Sequence, residues 1–161
     1  MKVSELDGLV KGLMERIDQE YEKVASLQSE YRSLYDQQAQ ELEQAAQRLL
    51  PVMTYIKNNG YRFNDKLSNT FSNMGPVFRY EPGTNTLFIY HIDHQTPAAI
   101  NLTNQQVTLF SYLDLLGVVD FETAMKSLLL TLTYHEELQK DYQEGIDRLE
   151  SQLKQFPGNI V

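Results

Sequence analysis

Apolar side chains recur in alternating steps of three and four at both ends of this chain, and give way to short alternating runs in between. Val3, Val10, Ile17, Val24 and Tyr31 stand one heptad apart. Leu6, Leu13, Leu27 and Leu34 fill the complementary positions, interrupted only by Glu20. Toward the other end Met125, Leu132, Gln139, Ile146 and Leu153 alternate with Leu128, His135, Tyr142, Leu149 and Phe156. Such seams predict helices that hide one face against other helices. Residues 3–57 read as one long helix, with Ser4 as its cap, Asp7 in an acidic first turn, and Gly8 and Gly12 weakening its start. Beyond Leu34 the apolar set moves to Tyr35, Leu42, Leu49 and Ile56. That four-residue shift is a stutter, expected where one packing partner gives way to another. Pro51 is expected to kink the helix or begin a new one, and Asn58-Asn59-Gly60 to end it with a left-handed glycine.

The middle of the chain changes period. Asn64–Asn73 suggests a short helix with Leu67 and Phe71 facing inward, and Met74-Gly75-Pro76 breaks it. Val77–Tyr80 and Thr86–Ile92 predict a β-hairpin, joined by a type II turn over Pro82-Gly83. Phe88, Tyr90 and Ile92 point to one face and Leu87 and Ile89 to the other, which predicts a strand covered on both sides. Pro97 breaks the next segment, and Ala98–Leu102 offers a third strand. Thr103 and Gln106 fit a capping box for a helix over Val107–Leu116, with a strand over Val107–Leu113 as the rival. Asp120 then caps a final helix that runs to about Phe156 and stops at Pro157-Gly158.

Charge sharpens this outline. The net charge is −8. It divides into −3 over residues 1–57, −1 over 58–119 and −4 over 120–161, so no segment is basic. Proteins that grip duplexes draw most of their affinity from Lys and Arg on phosphates, so direct nucleic-acid binding is disfavoured. The absence of cysteine removes disulfides, thiolate catalysis and Cys-ligated zinc. No signal peptide and no membrane span is expected, so a cytoplasmic protein is the simplest expectation.

Few residues suggest chemistry. His91, Asp93 and His94 are the one concentration of metal-ligand types, with His91 and Asp93 expected on one strand face and His94 on the other. Two ligands without a third make a poor zinc site, and a strand end with polar residues explains them equally well. His135 sits on the apolar seam as a buried or half-buried histidine, and Glu136, Glu137, Glu144, Asp147 and Glu150 read as a solvated face. Phosphate-loop, dinucleotide and hydrolase-elbow motifs are missing from the sequence. Aromatic rings crowd the insert. Phe78, Tyr80, Phe88 and Tyr90 either fill its core or line a second surface for a partner.

Two helical arms joined through a β-containing insert make a layout similar, in topology alone, to that of prefoldin-type subunits. The expected fold is thus α+β and mainly α. A coiled-coil helix (1–57) and a second one (120–157) flank a small head (58–119) with a hairpin at 77–92, and 158–161 form a tail. The arms are unequal. If they pair from the head outward, Val3, Leu6, Val10, Leu13 and Ile17 overhang, and they either bind another helix or are covered by the long helix folding back at Pro51 or at the stutter. The expected function is a non-enzymatic interaction module, with no cofactor and no metal. It would form a homodimer or a hetero-coiled-coil through that overhang. Two other classes fit less of the pattern: an acidic inhibitor that blocks a basic nucleic-acid-binding surface of another enzyme, and a metal-binding enzyme built on His91, Asp93 and His94.

Overall fold

A computed structural model describes residues 2–156, and the protein is α+β. The helix stop at Pro157-Gly158 and the tail lie outside the described residues. The chain divides into two compact units, residues 1–41 and 42–161.

The first unit is helix. It belongs to α1 (Val3–Asn58). The cap differs from the expectation at Ser4: the Glu5 carboxylate accepts the Lys2 backbone N–H at 3.1 Å, and Glu5 N–H donates to the Lys2 carbonyl at 2.9 Å. A glutamate three residues into the helix reaching back in this way satisfies donors that the helix start leaves orphaned. The apolar seam of this unit faces solvent, from Ile17 at 40% exposure to Val3 at 76%.

The second unit begins where the stutter ends. Leu42, Ala46, Leu49, Met53 and Ile56, on the last turns of α1, are all buried. They pack with Phe63, Phe78, Tyr90, Ile92, Leu115, Val119, Ala124 and Leu128 in the main core. The helix continues through Pro51 instead of breaking there. Pro51 and Gln47 are both exposed, so water can serve the Gln47 carbonyl that proline leaves without a donor. Gly60, at φ +77°, closes the helix as expected, with Tyr61 N–H reaching back to the Ile56 carbonyl.

Strands β1 (Phe63–Asp65) and β2 (Thr70–Ser72) form a two-stranded hairpin where the sequence suggests a helix. The turn chemistry explains the difference. Asp65 accepts from Leu67 N–H at 3.2 Å and from the Ser68 hydroxyl at 2.6 Å, and Asn69 adopts φ +54°. That Asx turn outcompetes helix, and it leaves Leu67 fully exposed rather than inward.

Strands β3 (Val77–Glu81), β4 (Thr86–His91), β5 (Thr96–Asn101) and β6 (Val107–Leu109) follow as an antiparallel sheet in sequence order. The expected hairpin is β3–β4, but its left-handed residue is Asn85 (φ +50°), not Gly83, and Asn85 N–H donates to the Pro82 carbonyl. The two faces of β4 divide as read. Phe88 and Tyr90, with Ile92 just beyond the strand, join the main core, while Leu87 and Ile89 join a second cluster with Val77, Ala98 and Ile100.

Pro97 lies inside β5 opposite Tyr90, rather than breaking the chain. Its carbonyl accepts from Phe110 N–H at 3.1 Å, so its missing donor faces the same side, just past the end of β6. The Phe110 carbonyl takes the Thr96 hydroxyl instead, at 3.0 Å. A side chain thus replaces the ladder bond that proline cannot make.

The expected helix over Val107–Leu116 is half strand. Thr103 caps nothing. Residues 101–106 form a tight turn, with Gln105 at φ +63° and Asn101 N–H bonded to the Gln106 carbonyl. After β6, Ser111 caps α2 (Tyr112–Leu116) by accepting Asp114 N–H. Asp120 caps α3 (Phe121–Leu129), as expected. The long final helix is interrupted by a 3₁₀ turn over Leu130–Thr133 before α4 (Tyr134–Gln155). Thr131 and Thr133 bond back to the Leu128 and Leu130 carbonyls, a habit of threonine that disturbs helix continuity. The seam expected to be hidden along this arm is exposed at Tyr142, Ile146, Leu149 and Leu153, and α4 buries none of its described residues.

Candidate functional site

Three places could carry function, and each is built by a different device. The first is the seam of residues 3–34 in the first unit. One face of a continuous helix carries Val3, Leu6, Val10, Leu13 and Ile17, all more than a third exposed. Leu9 and Met14, at 57% and 56%, widen the same stripe. Gly8 and Gly12 lie outside it, and a Cβ at either would meet open space. Farther along, Tyr31 and Tyr35 stack, with ring centroids 6.1 Å apart. Nine apolar side chains in heptad register, interrupted only at Glu20, make an extended exposed surface, unlike the scattered apolar residues that any surface carries.

The second place is a groove of about 710 Å³ in the second unit. β3 forms one wall, the β1–β2 hairpin another, and α3 and α4 the third. β3 is an edge strand, pairing only with β4 among the described residues. Of the aromatic residues singled out in the sequence, Phe78 and Tyr80 line this groove. Tyr90 does not reach a surface: it is fully buried, and Phe88 packs against the same core beside Phe110. The four rings therefore do not form one patch. Tyr90 can be buried because the Tyr112 hydroxyl bonds to it, and burial pushes both phenols above their usual range. At the groove mouth Lys66 bridges Glu137 and Asp141, at 3.0 and 3.5 Å. The carboxylates hold the Lys66 ammonium above its ordinary value. Glu137 is thus a pairing partner and not a bare member of a solvated face. This clamp joins residues 71 positions apart, which periodicity along the chain cannot reveal.

The third place is the end of β4. His91 and His94 come together, in contrast to the opposite faces expected of a continuous strand, because the chain turns after His91. Their rings meet edge to face at 4.6 Å, with the two Nδ1 atoms 3.2 Å apart. His94 N–H also donates to His91 Nδ1 at 3.4 Å. Asp93 turns away to pair with Lys57, which holds its carboxyl below the usual range. Burial, then the neighbouring His94, lowers the pKa of His91. Two imidazoles with no third ligand remain, and no set of three metal-ligand residues converges among the described residues.

His135, expected on a hidden seam, is exposed and sits among the rings of Tyr55, Tyr61 and Tyr134 at 5.8 to 6.2 Å. Tyr134 anchors this group by donating its hydroxyl to the Arg62 carbonyl at 2.6 Å.

No described helix is long and apolar enough to cross a membrane. Comparison with family models, curated proteins and solved structures finds no match.

Proposed function

We propose that the protein is a non-enzymatic interaction module that binds another helix through Val3, Leu6, Val10, Leu13 and Ile17. One observation carries the reading: a long regular helix whose heptad seam is exposed, followed by turns of the same helix whose apolar face is sealed by its own core. An isolated helix in water gains little from propensity alone and is held by the packing of its apolar face. Turns before Leu34 lack that packing within the first unit, and a helix of another molecule that presents a matching seam would supply it.

The test is the double variant Val10→Asp/Leu13→Asp in the full chain. Two carboxylates in the seam should lower association, with itself or with its partner, by about a hundredfold or more, since each buried unpaired charge opposes binding by well over 1.4 kcal/mol. The head should melt at an unchanged temperature. Unaltered mass in solution together with unaltered partner capture would remove the proposal.

A further inference from the structure

We infer that the partner of this seam is a second copy of the same chain, paired in parallel and in register over residues 3–34. The inference rests on the interaction reading above and adds an occupant and a direction.

The first argument is side-chain shape. One row of the seam is β-branched at Val3, Val10, Ile17 and Val24, and the other is leucine at Leu6, Leu13, Leu27 and Leu34. In parallel coils this combination selects two strands. The seam spans more than the three to four heptads that a coiled coil needs. Its strict seven-residue repeat drifts around a straight helix by ~20° per heptad, so a partner must wind with it left-handedly. A copy of the same helix, carrying the same drift, meets that condition over the whole length.

The flanking positions favour one direction because they avoid repulsion there. In the parallel arrangement the flanking positions bring Leu9 to Met14, Arg16 to Tyr21 and Lys23 to Gln28 of the other copy, and like charges do not meet among them. Leu9 and Met14, both exposed in the single chain, thereby extend the buried stripe. Antiparallel overlap of the same stretch instead sets Arg16 against Lys23 of the other copy, twice by symmetry.

Glu20 then acquires a role. In the parallel register the two Glu20 carboxylates face each other inside the seam. Arg16 and Lys23 of each copy, four residues before and three after, stand on the adjoining helix surface. Four cations thus surround two carboxylates. One polar layer of this kind weakens the coil while fixing its register, because a shift in either direction would put the charge against leucine or valine.

The chain has no cysteine, which makes the test direct. Leu13→Cys in the full chain places one thiol in the seam, and Gly8→Cys places one outside it. Sedimentation of the wild type should show a dimer. Mild oxidation should link Leu13→Cys into a covalent dimer almost completely and leave Gly8→Cys unlinked. Mixing Glu20→Lys with wild type should give more heterodimer than the statistical half, because residue 20 meets residue 20 only in this register. A dimer that fails to link through Leu13→Cys pairs in another direction or with another segment. That result overturns the inference and leaves the interaction reading intact. A chain that stays monomeric at every concentration also overturns it, and the Val10→Asp/Leu13→Asp experiment then decides the broader reading alone. Both positions lie outside the two core clusters, so an unchanged melting temperature shows that the head has survived substitution.

Discussion

His91 shows how a single side chain can set the conditions a fold tolerates. It is buried at the end of β4, where it accepts the His94 backbone N–H and meets the His94 ring, while Lys57 and Asp93 complete the charged groups around it. Its pKa lies below the ordinary histidine value, so the folded protein holds fewer protons there than the unfolded chain. Stability from this group is complete above about pH 6.5 and falls as pH drops from there toward the folded value. Urea midpoints measured between neutrality and mild acid should decline through that window. His91→Gln, which cannot titrate, should flatten the decline. The paired carboxylates Asp93, Glu122 and Glu137 have lowered values and act only at lower pH, so they do not mimic this effect. A decline that survives His91→Gln unchanged would assign it elsewhere.

Elements in this protein are decided by turns as much as by periodicity. Gly75 leads into β3, and a Cβ there would stand 1.6 Å from the Tyr90 carbonyl oxygen, inside the backbone of β4. Gly75→Ala should therefore cost about 2 kcal/mol or more, read as a lowered denaturant midpoint, because one backbone must retreat from the other. An unchanged midpoint would mean that the approach is looser than described. From the sequence, Met74-Gly75-Pro76 is legible only as a breaker, since close packing of two strands leaves no trace in local pattern. The long first helix, the β3–β4 hairpin, the two apolar faces of β4 and the Asp120 cap are all legible, because each rests on spacing or on a cap within a few residues. The β1–β2 hairpin is not, and β6 is legible only as the rival to a helix. Asp65 and Ser68 win a turn from a stretch with helical spacing, and Gln105 accepts a left-handed conformation that nothing in its type announces. Pro97 misleads for a related reason: Thr96, its neighbour, repairs the ladder that proline interrupts. The groove beside β3 was invisible for a different cause. Its walls come from residues as far apart as Phe63 and Asp141, and only the tertiary fold brings them together.

For the molecule as a whole, the division at Glu41/Leu42 separates two kinds of stabilisation. Every buried residue of both core clusters lies between Leu42 and Leu128. A chain lacking residues 2–34 should therefore melt within a few degrees of the full chain when both are dilute, while losing concentration-dependent association. Calorimetry across a dilution series checks both halves of that expectation, and collapse of the truncated chain would show that the first helix supports the head. The main core also draws on distant parts of the sequence: Leu42–Ile56 on one side, Leu115–Leu128 on the other. Ribosomes add about 5–20 residues each second, so roughly 4 to 14 s separate Ile56 from Leu128 during synthesis. During that interval the leading helix has been made and its apolar seam has no cover from its own chain, while the strands that will seal its rear half are still being made. If the seam pairs with a second copy, neighbouring nascent chains on one messenger join at the front before either head has closed.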